Sequence, residues 1–309
     1  MRICGAAAVA LALGALLGAA PSREAFGVGV LRRDGIIVPF AAFDGKRWLA
    51  NWPLPAAEVM VPISVRDVPR SWWGPTRPLD TWQAWIGGAA QSLRVVQPDW
   101  VEVHCTRQIG LRTDYGPATA APAPTEQPYP KDGLAVSPAQ PVERVDVVQP
   151  ESGEMRALLP AIHEAFNKAE RETESLAGGH PVAQRSREGR LPDVEAVYAA
   201  GDSPRIYYVE ATRPYRRLGQ RPDQCAGLGF GTGWFLRDAA GVRSLLTVVD
   251  VLHCDRRGAS YMLPLGAMRL RDRTYWLAQF SGWNHERYVV VEIKKKTVEA
   301  VLNKWGGSC

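Results

Sequence analysis

The chain has 309 residues, 46% of them apolar, enough to bury a sizeable core in one large or two ordinary domains. Its formal charge of +5 comes from 37 basic against 32 acidic residues. That excess is dispersed as Arg32-Arg33, Arg216-Arg217, Arg256-Arg257 and the Lys294–Lys296 triplet. No aromatic residues interleave with these cations, so a nucleic-acid groove is not expected.

Residues 1–22 have the layout of a secretory signal. Met1-Arg2 is a basic start, Gly5 to Ala20 is uncharged and apolar, and Pro21-Ser22 returns to polar sequence before Arg23. The apolar run is shorter than the roughly 20 residues that span a bilayer, and no second such run follows. Cys4 stands at the wrong end for lipidation. The expectation is a secreted or periplasmic protein with no membrane span after signal cleavage.

Residues 23–116 read as a β-rich N-terminal part. Val28–Leu31 and Gly35–Ala41 flank an Asp34-Gly35 turn signal. Glu58–Val65, Leu93–Val96 and Trp100–Thr106 are further strand-like runs, and Asp80–Ile86 is compatible with a helical turn. Residues 117–146 are rich in Pro and Ala and read as an extended linker, with no strand longer than about four residues.

Residues 147–309 open with a long helix. Met155, Leu158, Leu159, Ile162, Phe166, Ala169 and Leu176 recur at helical spacing, with Ser152 as a cap. Pro160 falls inside that pattern and would cost it a hydrogen bond; if it is instead the first-turn proline, the regular helix runs over about 160–176, and Gly178-Gly179 stops it in either case. Three hairpins follow: 194–212, 228–253 and 275–293. Val298, Val301, Leu302 and Trp305 share one face at helical spacing and predict a short C-terminal helix. The fold class is mainly β with one long helix and a short C-terminal helix, in antiparallel, sandwich- or barrel-like meanders, the two parts joined by the Pro-rich strap.

Four cysteines follow the signal, and in an exported chain two disulfides are the default. A four-residue loop 238–241 pairs Arg237 with Val242 and sets Cys225 opposite Cys254, leaving Cys105 for Cys309. A three-residue loop puts the first pair out of register, and Cys254–Cys309 is then the rival. His104-Cys105 and His253-Cys254 lack metal-ligand spacing, so no metal site and no cofactor is assigned.

Two features suggest a ligand. Gly227, Gly229, Gly231 and Gly233 leave one strand face bare, for an aromatic ring or a ligand groove around Gly229 and Gly231. Of 11 tryptophans, Trp72 and Trp73 sit beside Gly74-Pro75, where a loop would display a recognition ring or anchor a core. No nucleophile motif is present, and whether the chain is an enzyme stays open. If it is one, Glu210, Asp250, His253 and Asp255 are the residues to inspect, since Glu210 and Asp250 interrupt apolar strands. Pairing of those carboxylates with Arg213, Arg237 or Arg243 is the structural alternative. The functional expectation is a binding or structural role outside the cytoplasm, with a carbohydrate or peptide ligand. The alternative is a hydrolase of envelope or extracellular polymers using Asp/Glu acid–base residues. The partner is unknown.

Overall fold

The computed structural model describes residues 25–50, 62–123, 126–176, 180, 182–184, 187, 189–216 and 225–309. The expected signal, the Gly178-Gly179 helix stop and most of the 58–65 run lie outside the described residues. Of that run, 62–64 are not strand, and Val65 opens a 3-10 turn.

The N-terminal half closes into a barrel. Its staves are β1 (Phe26–Arg32), β2 (Ile36–Phe43), β4 (Thr81–Ile86), β5 (Ala89–Val103), β6 (Thr106–Thr113) and β7 (Lys131–Ser137), and the two-residue β3 (Trp48–Leu49) extends β2. The order is β1-β7-β4-β5-β6-β2, and β1 pairs with β2 to complete the ring. One apolar cluster draws on every stave and fills the interior: Leu31, Ile37, Ala84, Leu93, Leu111 and Ala135 are among its members. Val68, Trp72 and Trp73 belong to the same cluster, the two tryptophans on the 3-10 turn Arg70–Trp73. The Asp34-Gly35 hairpin forms as expected, with Gly35 at φ +79° and its N–H donating to the Arg32 carbonyl.

Two further antiparallel sheets and one helix complete the fold. β8 (Asp146–Val147), β9 (Asp193–Ala200), β10 (Arg205–Tyr215), β11 (Gly227–Asp238) and β12 (Gly241–Leu252) form a five-stranded sheet in the order β12-β11-β10-β9-β8. β13 (Tyr261–Leu270), β14 (Arg273–Ser281), β15 (His285–Ile293) and β16 (Val298–Ser308) form a four-stranded meander. The helix α1 (Gly153–Leu176) lies on the five-stranded sheet, where Leu158 and Ile162 pack with Val197, Tyr207 and Val209.

Strand alternation explains how these parts stack. Tyr207 and Val209 face the helix, while Ile206 and Tyr208 join Trp276, Ala278, Val289 and Val291 of the four-stranded sheet. On that sheet's other face, Tyr275, Leu277, Tyr288 and Val290 join Val28, Val30 and Val136 on the outside of the barrel. The layers are therefore helix, five-stranded sheet, four-stranded sheet and barrel. Lys131 reinforces the last interface: its ammonium is 3.1 Å from Glu286 in a sealed pocket, and burial lowers its pKa.

Three sequence expectations change. Asp80–Ile86 supplies strand β4, because Trp82 and Ala84 alternate into the barrel with exposed or half-buried neighbours. The 117–146 linker contains the seven-residue β7, hydrogen-bonded to β1 on one side and β4 on the other. Pro130 and Pro138 bound that strand rather than interrupt it. Of the two starts that the sequence offers for the long helix, the structure takes the one capped by Ser152: it begins at Gly153, with the Met155 N–H donating to Ser152 Oγ at 3.0 Å. Pro160 is on the exposed side of the helix, as is Arg156, whose carbonyl loses its donor and is left facing solvent rather than the core.

The expected C-terminal helix is strand β16. Register shifts at Glu286/Arg287 and Val290/Val291 each insert one residue into β16. The extra residues displace the inward positions, so apolar side chains fall at spacings that imitate a helix.

Candidate ligand-binding surface

Glu210, on β10, lies opposite Thr232 and Ala196 and is 3% exposed. Its Oε1 accepts the Met262 N–H at 2.6 Å, joining the five-stranded sheet to the start of β13. Burial pushes its pKa up to about 7, the Met262 N–H partly opposes this, and the nearby Glu195 carboxylate adds to it. Among the described residues no arginine pairs with it: Arg213 holds Glu170 at 2.7 Å and Arg243 holds Asp238 at 2.6 Å.

The other three candidates lie elsewhere. Asp250 is exposed on β12, opposite Phe230. It is two strands from Glu210, roughly 10 Å by strand spacing alone. His253 and Asp255 are exposed in the turn after β12, and Asp255 pairs with Arg257 at 3.4 Å. The four residues do not form one catalytic constellation. Among the described residues, no three His, Cys, Asp or Glu side chains converge on a metal position.

The predicted ligand residues are covered. The Phe166 ring of α1 lies over Gly231, and Tyr215 lies over Gly229. Trp72 and Trp73 meet edge to face at 5.0 Å and are 7% and 5% exposed. Packing, not display, accounts for all four positions.

Both cysteine pairs are bridged, Cys225–Cys254 with Cα atoms 6.1 Å apart and Cys105–Cys309 with Cα atoms 4.8 Å apart. Arg237 does face Val242, through a turn with Asp238 opposite Gly241. A bulge at Leu245 then shifts the ladder by one, and the bridge forms just beyond the paired strands.

The residues that the sequence reading passed over are Trp283 and Trp305. They are 65% and 61% exposed, and among the other large apolar side chains described only Leu191, at 62%, exceeds Trp305. Each ring is held by a neighbour. The Arg257 guanidinium sits 4.7 Å from the Trp283 ring centre, and the His285 ring meets Trp305 at 5.2 Å and 78°. Gly282 makes this arrangement feasible, since a side chain there would run into the His285 ring.

The support under these rings is cross-linked. The Gly282 N–H donates to the His285 carbonyl at 2.9 Å, and the Cys309 N–H donates to the Asn284 carbonyl at 3.0 Å. Cys105–Cys309 fastens this end of the four-stranded sheet to the β5–β6 turn of the barrel. The loop after β12, tethered by Cys225–Cys254, sends consecutive arginines in two directions. Arg256 pairs with Glu195 at 2.8 Å, and Arg257 covers Trp283. The available signal was Gly282-Trp283-Asn284, a tryptophan in a two-strand turn. Trp305 was hidden by its assignment to a helix face.

Two exposed indoles are therefore presented, Trp283 in the β14–β15 turn against Arg257 and Trp305 on β16 against His285, itself two residues along the chain from Trp283, and each offers an apolar face beside a polar group. No family model matches the chain, and no curated protein or solved structure matches it. Among the described residues, no helix is long and apolar enough to cross a membrane.

Proposed function

We infer that this chain is an extracytoplasmic carbohydrate-binding protein that uses the Trp283–Trp305 surface. The carrying observation is the exposure of two indoles, each in contact with a neighbouring cation or ring. A pyranose has an apolar C–H face that stacks on indole, and hydroxyls that suit Arg257, Asn284 and Asp255. Holding the rings in place before binding reduces the ordering cost of association. The two disulfides support an oxidising location, where such bridges persist.

A hydrolase is the second reading, supported by Glu210, an unpaired carboxyl with a pKa near neutrality beside Glu195. Its burial and its separation from Asp250 weigh against it, because a general acid must reach the bond it protonates.

Titration of the oxidised protein with soluble oligosaccharides, read by tryptophan fluorescence, tests the binding reading. Saturable quenching is expected, and W283A and W305A should each weaken binding at least about tenfold. Their unfolding midpoints should stay near the parent value, because both rings are exposed. Binding that survives both substitutions, or no binding across neutral and acidic sugars, overturns it. Release of reducing ends that is lost in E210Q would favour the hydrolase.

A further inference from the structure

The face that the four-stranded sheet turns toward the five-stranded sheet is not covered to its edge. Register places Met262, Phe280, Arg287 and Trp305 in one row across β13, β14, β15 and β16. The Met262 N–H is bonded to Glu210, and Tyr208 meets the Phe280 ring at 6.0 Å, so the five-stranded sheet sits on the first half of this row. Exposure then rises along it. Met262 is buried, Phe280 and Arg287 are half-buried, and Trp305 is 61% exposed. Asn303, which faces Val289 in the next row, is exposed as well. The uncovered end is a ledge on β15 and β16.

A bulge aims Trp305 onto this ledge. Glu286 pairs with Gly307 and Arg287 with Trp305, which leaves Gly306 as the extra residue. Without it Trp305 would fall opposite Tyr288 and point at the barrel, because side chains alternate along a strand. A side chain at Gly306 would run into the Tyr288 ring.

Arg287 is the unusual member of the row. Its Nε is buried with no hydrogen-bond partner, and among the described residues no carboxylate pairs with its guanidinium. It lies instead beside the Phe280 ring, 5.3 Å from the ring centre. Glu286, its neighbour in sequence, points to the other face, where Lys131, Gln279 and Tyr288 hold its two oxygens. A half-buried guanidinium with no counter-charge keeps donors for an anion, and its planar fork matches a carboxylate. Directly opposite residues of antiparallel strands lie about 5 Å apart, so a ring stacked on Trp305 has its substituents beside Arg287.

Given the carbohydrate reading, on which this rests, we propose that the ledge selects acidic polysaccharides: a uronic acid stacks on Trp305 and its carboxylate is taken by Arg287. Asn303 and His285, at the margins of the ledge, are placed to meet its hydroxyls.

Calorimetric titration of the full oxidised chain tests this, with an oligogalacturonate and with the same oligosaccharide after reduction of its carboxyl groups to alcohols. The acidic form should bind at least about tenfold more tightly than the reduced form. R287Q should remove that advantage and leave affinity for the reduced form near the parent value, which also reports that the variant is folded. R287K should keep part of the advantage, because an ammonium retains the charge and lacks the fork. W305A should weaken both forms. Equal binding of the two forms by the parent overturns the uronate proposal and leaves the carbohydrate reading standing. An acid preference that survives in R287Q does the same. Binding of neither form, nor of other neutral oligosaccharides, overturns the carbohydrate reading together with the proposal.

Discussion

The Phe166 ring of α1 occupies the space that a side chain on Gly231 of β11 would need, with ring carbons 2.5 Å from the would-be Cβ. The helix can approach this closely because Gly229, Gly231 and Gly233 present no side chains toward it. An aromatic ring is rigid and buried here, so it cannot swing aside as a long flexible side chain would.

G231A should therefore destabilise the fold by about 1–3 kcal/mol through overpacking. F166A should cost about 3–5 kcal/mol through the cavity it leaves. The double variant should lose less than the sum, because the added methyl then enters the vacated space. Urea unfolding of the four proteins checks this, and strict additivity would mean the two residues do not share one contact.

That contact was legible in advance because a strand has period two, so alternate glycines announce a bare face before its cover is known. The Cys225–Cys254 pairing was legible because a hairpin brings the ends of β11 and β12 together, and the bridge forms although the bulge at Leu245 moves the ladder one residue from the register that the turn sets. What was hidden is where alternation is broken. The extra residues in β16 mimic helical spacing, and Pro264 with its neighbouring register shift conceals β13 as a strand. The tryptophan surface was missed because exposure is a tertiary property. Trp73 beside Gly-Pro and Trp283 beside Gly look equally loop-like in sequence, yet one joins the cluster that fills the barrel and the other faces solvent.

The two disulfides should contribute unequally. Cys105–Cys309 spans 204 residues and Cys225–Cys254 spans 29. Loop-closure entropy of the unfolded chain gives about 5 and about 4 kcal/mol, respectively. The paired variant C105S/C309S should therefore lower the denaturant midpoint more than C225S/C254S. It should also weaken oligosaccharide binding, because the Cys309 N–H anchors Asn284 between Trp283 and His285. The opposite order of midpoints would show that the unfolded chain is not governed by loop length.

Glu210 should make the fold less stable as the pH rises. Its pKa is about 7 when folded and near 4.5 in the ordinary state, so the folded protein holds the proton more tightly. The contribution of such a group is fully present below about pH 4.5 and is lost as the pH climbs through about 7. The shift corresponds to about 3 kcal/mol across that window. E210Q keeps an oxygen for the Met262 N–H but cannot ionise. It should raise the unfolding free energy by about 3 kcal/mol near pH 8 and change it little near pH 4. Urea titrations of both proteins at the two pH values provide the comparison. An equal loss of stability at both pH values would mean that Glu210 is held as a paired anion, and the coupling of the two sheets through Met262 would need another account.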